Sequence, residues 1–484
     1  MDVAAQYDGN IHPSIYSYPI RGAAFTAPEK AETSSFLILP ETPAMKEAFK
    51  ALKAIYSYYE IPIPEVIWGP DPIEPGKKFG VFDVCVASDP EVIEQILAVT
   101  YNRNTAYSLI SHAYTPETEQ VRLAFAQAGL HSFPVFSPKE YGCTNAHDRS
   151  GSAAFAVKYG LPYPFSRVGY SLSDIQAAYE EVAFRTENPH VYVKAAIGGG
   201  GYLINQVYSV EEALSTVRTW DTWGVREPIY GGDIVAVELQ GTIPAILAVC
   251  SWQDAFNHVT TPLRKDIPAT QGPAYTVQYL DGTAHAGNGY KVTLPIPKHE
   301  LARTERFIAI YQQRFMAALK QESDYTPIDT GSTDFAIVDL NEVSEKQAKL
   351  LLKDMWYVAV DLNARYVAVG IERNGKRVSD AMPPMAFAEI AGLLTGDHPL
   401  VACKIEGIAA DPSAIVELLM KEKLMLQPEN GQKGIAPLAL IYDPHKHIQY
   451  GYAIIGAEHE AELLPLQHQV LERLEKTGFI SGNN

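Results

Sequence analysis

Val191-Tyr-Val-Lys-Ala-Ala-Ile-Gly-Gly-Gly-Gly-Tyr-Leu-Ile-Asn205 joins a β-type run carrying one lysine to four consecutive glycines. Val191, Val193 and Ala195 alternate as the apolar face of a half-buried strand, which turns Lys194 to the opposite face beside the glycine turn. Gly198, Gly199, Gly200 and Gly201 can adopt positive φ and bring bare backbone N–H groups against an anion, where side chains would stand in the way. The segment therefore suits a phosphate; an ordinary hairpin would read the same way.

Two other strand-like segments carry acids: Thr330-Gly-Ser-Thr-Asp-Phe-Ala-Ile-Val-Asp339 and Tyr357-Val-Ala-Val-Asp-Leu-Asn-Ala-Arg365. In the second, Asp361, Asn363 and Arg365 recur at every other position, so a strand presents them on one face. Two oxygen ligands beside a guanidinium suit Mg²⁺ and the phosphates it bridges, and Asp334 on the first segment offers a third oxygen. The polar outer face of a half-solvated strand gives the same alternation.

With 484 residues the chain exceeds a single ordinary core, and 47% hydrophobic against 20% charged residues is the balance of folded domains. Its net charge of −18, with no basic stripe, argues against nucleic acid as a partner. Cys85, Cys143, Cys250 and Cys403 are scattered without metal-ligand spacing. No uninterrupted apolar span reaches membrane length and the first residues lack a signal-peptide pattern, so the expectation is a cytoplasmic protein with no membrane partner.

The patterns divide the chain into three α/β units. Residues 1–145 contain helical patterns at 43–59 and 115–130, and Phe79–Ala87 reads as a buried strand. Residues 146–396 follow, with a capping box at Ser209 and Glu212, an amphipathic helix over 298–322, and strands at 233–240, 243–250, 333–340 and 356–371. The Gly- and Pro-rich stretch 262–290 reads as a long loop, functional or simply a surface insertion. Residues 397–484 make a small unit with helices 413–424 and 458–477 and strands 435–443 and 449–456, packed on the main body.

The order of these parts resembles the ATP-grasp superfamily. Arg149-Ser-Gly-Ser-Ala-Ala-Phe-Ala-Val-Lys-Tyr-Gly-Leu-Pro-Tyr-Pro164 is similar to the K-x-G-S-R-x-x-F-x-x-x-G-V-P-x-P segment of pheganomycin-type peptide ligases. Val237-Glu-Leu239 stands where that family has its V-Q-L linker, Gly331 to Phe335 where it has G-x-x-x-D-F, and Ala436 to Gly456 resembles its C-terminal strand pair. The resemblance implies an α/β (α+β) architecture: a pre-ATP-grasp domain over 1–145, an ATP-grasp domain over 146–396 and a small C-terminal domain over 397–484.

It also implies ATP and Mg²⁺ as cofactors and an ATP-dependent carboxylate–amine ligase acting through an acyl phosphate. The substrates are then a small carboxylate and an amine, with a homodimer as the assembly common in the superfamily. Arg149, Lys194 and the N–H groups of Gly198 to Gly201 fall to the phosphates, and Glu238 and Leu239 to the adenine edge. Asp334, Asp361 and Asn363 fall to Mg²⁺, Arg365 to the acyl phosphate, and the 262–290 loop to closure over the substrates.

Three departures stand out. Arg149 replaces a Lys, Asp361 replaces a Glu, and Tyr366-Val-Ala-Val-Gly370 follows where the family has a G-G-T-T-H-P-like loop. A nucleotide-binding protein that keeps the fold without catalysis is the alternative these changes leave open.

Overall fold

The computed structural model describes residues 20–23, 36–71, 82–100, 107–109, 116–134, 136–138, 149–195, 204–222, 237–241, 245–254, 274–281, 284–290, parts of 306–321, 323–325, 330–338, 357–363, 369–373, 376–381, 387–388, 390–393, 398–427, 433–445 and 448–481.

The chain opens with β1 (Phe36–Pro40), α1 (Pro43–Tyr58) and β2 (Glu65–Gly69). β1 and β2 pair in parallel with Phe36 opposite Glu65, the crossover arrangement a helix between parallel strands produces. Thr42 starts α1 by accepting the Met45 N–H at 3.1 Å, with Pro43 at the first helical position, where its missing N–H is harmless. Next come α2 (Phe82–Ser88), α3 (Pro90–Val99), β3 (Tyr107–Leu109), α4 (Pro116–Gln127), β4 (Ser132–Pro134) and β5 (Phe136–Pro138).

The buried strand expected at Phe79–Ala87 is, over its described part, the helix α2. A short apolar run has no period of its own to choose between the two states. Packing decides: α2 lies on α4, and Val86 joins Val92, Ile96, Val121 and Phe125 in one core.

A four-stranded antiparallel sheet is built from α5 (Arg149–Tyr159), β6 (Ser166–Gly169), α6 (Leu172–Thr186), β7 (Val191–Ala195), β8 (Ile204–Val207), α7 (Val210–Thr222) and β9 (Val237–Gly241). Its strand order is β6-β9-β7-β8. Ser209 caps α7 by accepting the Glu212 N–H at 3.1 Å, while the Glu212 carboxylate reaches back to the Tyr208 N–H at 2.7 Å. α6 and α7 cover one face of the sheet. There Val191, Val193, Val207, Val237 and Leu239 pack against Ile175, Val182, Val217 and Trp220. Replacing the buried Trp220 by alanine is expected to cost about 3–5 kcal/mol, read as a shift of the urea transition followed by circular dichroism.

The remaining elements are β10 (Ala245–Asp254), β11 (Ala274–Asp281), β12 (Ala284–Tyr290), β13 (Ser323–Tyr325), β14 (Thr330–Val338), β15 (Tyr357–Asn363), β16 (Val369–Arg373), β17 (Lys376–Ala381), β18 (Leu400–Ile405), α8 (Pro412–Lys421), β19 (Gly434–Asp443), β20 (Ile448–Gly456) and α9 (Glu460–Lys476). Eight of the strands form one sheet in the order β15-β14-β10-β11-β12-β18-β20-β19. The loop expected over 262–290 is corrected here. Residues 274–290 supply the adjacent strands β11 and β12, while 262–273 lie outside the described residues.

β12 pairs with β18, so the sheet runs unbroken past the 396/397 position. The C-terminal strands also share a core with α1: Met45, Phe49, Leu52 and Ile55 pack with Ile415, Leu419, Ile435 and Ile455. The Tyr59 hydroxyl donates to the Leu426 carbonyl at 2.6 Å across this core. Along the expected 298–322 helix the described positions from 306 to 321 are helical, with Tyr311, Phe315 and Ala318 buried. No described helix is long and apolar enough to cross a membrane.

Candidate functional site

The face of the four-stranded sheet turned away from α6 and α7 is polar and still buried. Register puts Lys194 directly opposite Glu238 on the central strand β9, with Val168 of β6 on the far side of Glu238. One row along, Ser166, Gln240 and Tyr192 stand in line. Lys194 is 4% exposed, Glu238 0%, Gln240 2% and Ser166 6%. Lys194 was expected on a half-solvated face; both faces of β7 are covered instead.

Directly opposed residues of an antiparallel pair have Cβ atoms roughly 4.5–5.5 Å apart. Lys194 and Glu238 are therefore side by side where water is excluded, a position an ionised side chain holds only with partners. The Tyr163 hydroxyl, from the segment between α5 and β6, donates to the Glu238 carboxylate at 3.4 Å. The Ser166 hydroxyl is buried with no hydrogen-bond partner among the described residues. Burial, reinforced by Tyr208, pushes the Tyr192 phenol above its ordinary range, which keeps it neutral on this face.

β7 and β8 pair with Lys194 opposite Ile204, at the end of the hairpin that leads into residues 196–203. Gly198, Gly199, Gly200 and Gly201 fall in that connection, outside the described residues. Lys194 is thus the last pair of the ladder before the glycines.

Leu239 alternates with Glu238 and faces the other way. Its side chain is fully buried in the core against α6 and α7. Glu238 and Leu239 each have a ladder partner on both β6 and β7, within the strand expected over 233–240. What Glu238 offers the polar face is its carboxylate.

The second cluster lies at the edge of the eight-stranded sheet. β14 and β15 pair with Asp334 opposite Asp361 and Ser332 opposite Asn363. Asp334, Asp361 and Asn363 therefore share one face at adjacent positions, ahead of a bulge that shifts the register beyond Asp334. Two carboxylates and an amide are hard oxygen donors, the set Mg²⁺ takes when it also holds phosphate. Arg365 follows β15 outside the described residues.

α5 connects the two clusters. It packs against β6, β7 and β9 and also against β15, and its Phe155 meets Phe315 edge-on with ring centroids 6.1 Å apart. Arg149 is its first residue, though its side chain lies outside the described set. Ser152, completely buried, sits on the same helix.

The sequence reading did not single out Tyr163, Ser166, Tyr192 or Gln240. For Gln240 the signal was present as polar residues at alternate positions of an otherwise apolar strand, in Glu238-Leu-Gln240, whereas Ser166-Arg-Val168 carries no such alternation.

No protein-family model and no curated protein sequence matches the chain. Among solved structures it is similar to biotin carboxylase from Campylobacter jejuni in a β,γ-ATP complex. The identity is 12% and the TM-score 0.52, over 94% of this chain and 88% of that one. It is also similar to the biotin carboxylase domain of 2-oxoglutarate carboxylase from Hydrogenobacter thermophilus, a structure with MgADP, ADP and bicarbonate. There the identity is 12% and the TM-score 0.50, over 88% of this chain and 87% of that one.

Proposed function

We propose, for a chain with the α/β ATP-grasp fold of those carboxylases, that it is an ATP-dependent carboxylate–amine ligase. The observation that carries this reading is the pairing of two buried charges, Lys194 and Glu238, on a sheet face joined through α5 to a strand bearing Asp361 and Asn363. The division into units at 145/146 and 396/397 belongs to the same proposal.

In this reading Lys194 and the glycine connection hold the phosphates, with Arg149 at the start of α5. Glu238, held by Tyr163, and the buried Ser166 hydroxyl present an acceptor and a hydroxyl to the nucleoside. Asp334, Asp361 and Asn363 hold Mg²⁺, which when bound offsets phosphate charge. A carboxylate oxygen of the substrate attacks the γ-phosphorus, and the bond to the ADP oxygen breaks. An amine then attacks the acyl carbon, loses a proton and expels phosphate, giving an amide. Arg365 stabilises the oxygens that gain charge in the second step. Positioning and charge neutralisation carry most of such a reaction, which is why cations and acids at fixed strand positions suffice.

The pheganomycin-type peptide ligases supply the finer expectation of a peptide product. The test is ADP and phosphate release from MgATP across a matrix of amino acids, small acids and amines, with mass spectrometry of every positive well. A new mass of acid plus amine minus water, stoichiometric with ADP, is the expected result. ATP-induced thermal stabilisation without product from any pair would favour a binding protein and overturn the ligase.

A further inference from the structure

Tyr311 lies among the helical positions between 306 and 321, outside both clusters, and is 2% exposed. Its hydroxyl donates to the Pro162 carbonyl at 2.8 Å, across 149 positions of sequence. Burial lifts the Tyr311 phenol well above its ordinary range, so the group stays protonated and remains a donor. Pro162 adjoins Tyr163, whose hydroxyl donates to the Glu238 carboxylate at 3.4 Å.

The connection from α5 to β6 has little freedom once that carbonyl is held. α5 closes on Gly160, whose φ of +63° is left-handed; the Leu161 N–H returns to the Ala156 carbonyl at 2.8 Å and the Gly160 N–H to the Val157 carbonyl at 3.2 Å. Leu161-Pro-Tyr-Pro164 then sets a proline on either side of Tyr163, which fixes φ at 162 and 164 and keeps Leu161 and Tyr163 extended. The rotation left at Pro162 is ψ, and the direction of its carbonyl is that angle. This carbonyl also shares a rigid peptide plane with the Tyr163 N–H. The bond from Tyr311 therefore sets the plane from which the Tyr163 side chain starts toward Glu238.

We propose that Tyr311 is a positioning residue for nucleotide recognition: through the Pro162 carbonyl it aims the Tyr163 hydroxyl, which fixes the Glu238 carboxylate as an acceptor for the exocyclic amine of adenine. The inference rests on the ligase reading for the presence of a nucleotide on this face. It deepens that reading by giving part of the base selectivity to a residue of another region. The chain beyond Tyr311 runs through β13 into β14, so base recognition is tied to the stretch that bears Asp334.

The test is the calorimetric affinity for MgADP against that for magnesium inosine diphosphate, which has an oxygen in place of the amine. The unsubstituted protein should prefer ADP by about tenfold, what one hydrogen bond to a charged group is worth. Tyr311→Phe keeps the ring packed on Phe307, with centroids 6.1 Å apart, and loses only the hydroxyl. Its preference should fall about fivefold. Tyr163→Phe should fall to the same level, and the double variant no further, because the two hydroxyls act in series. Tyr179→Phe is the control: its hydroxyl donates to the Pro189 carbonyl at 2.7 Å, so this variant also strands a proline carbonyl, yet it should keep the full preference. The inference is overturned by an unsubstituted protein that does not prefer ADP, by an unchanged preference in Tyr311→Phe, by an equal fall in Tyr179→Phe, or by additive losses in the double variant. Tyr163 is only half-buried, so Tyr163→Phe keeps the test open if Tyr311→Phe does not fold, and an undiminished preference there overturns the inference equally. Failure of the unsubstituted protein to bind MgADP refutes the ligase reading, whereas binding that Tyr311→Phe leaves unaltered refutes this inference alone.

Discussion

Lys194→Met is expected to lower ATP turnover by two to three orders of magnitude while the protein remains folded. Methionine keeps the length and packing of the lysine stem and removes only the charge. Losing one preorganised charge from a water-excluded site raises the barrier by about 2.7–4 kcal/mol. The substitution also leaves the fully buried Glu238 without the cation opposite it, which adds a stability loss on the order of 3–5 kcal/mol. Those effects separate in the Lys194→Met/Glu238→Gln double variant, where the amide removes the stranded charge. It should recover most of the stability, read by urea unfolding, and none of the ADP release. Near-normal turnover in the single variant would remove Lys194 from the phosphate site.

Asp361→Asn has an effect whose sign depends on Mg²⁺. Asp334 and Asp361 are directly opposed in the ladder, and like charges in that relation destabilise a strand pair by roughly 0.2–1 kcal/mol. Without metal, replacing one of them by an isosteric amide should stabilise the protein, so the unfolding temperature in EDTA rises. With Mg²⁺ and ATP the order reverses, because the unsubstituted protein gains a bound ion that the variant has lost. Turnover should fall on the order of a hundredfold. Thermal unfolding with and without Mg²⁺ at fixed ATP reads both arms. Parallel curves for the two proteins would place the metal elsewhere.

The parts of the site legible in the sequence are those where local pattern and tertiary environment agree. Val191, Val193 and Ala195 alternate because one face of β7 meets α6 and α7, and the same alternation fixes the side from which Lys194 projects. The i, i+2 spacing of Asp361 and Asn363 survives because β15 is a regular strand there, and the ladder supplies what spacing cannot, the opposition to Asp334. Phe79–Ala87 misled because an apolar run this short takes its state from its neighbours, here α4.

The 262–290 stretch misled through its glycines. Asp281 pairs with Ala284, leaving Gly282 as the first of two intervening residues, the composition of a tight hairpin rather than of a long loop. Gly287 and Gly289 lie within β12, a strand with a neighbour on either side. Glu238 and Leu239 were legible as strand residues within 233–240, but not their place on a central strand with a partner on either side, which local pattern does not carry. The core shared by α1 and the C-terminal strands left no local trace, because it depends on contacts between distant parts of the chain.

That long reach bears on how the molecule comes off the ribosome. The apolar side of α1 is covered by β19, β20 and α8, and the hydrogen bond from Tyr59 to Leu426 spans 367 positions. At about 5–20 residues per second, the helix waits roughly 20 to 70 s after its own synthesis before its cover is translated. A helix this apolar on one side is a ready ligand for chaperones during that interval, and its docking is a late event that closes the chain's two ends on each other.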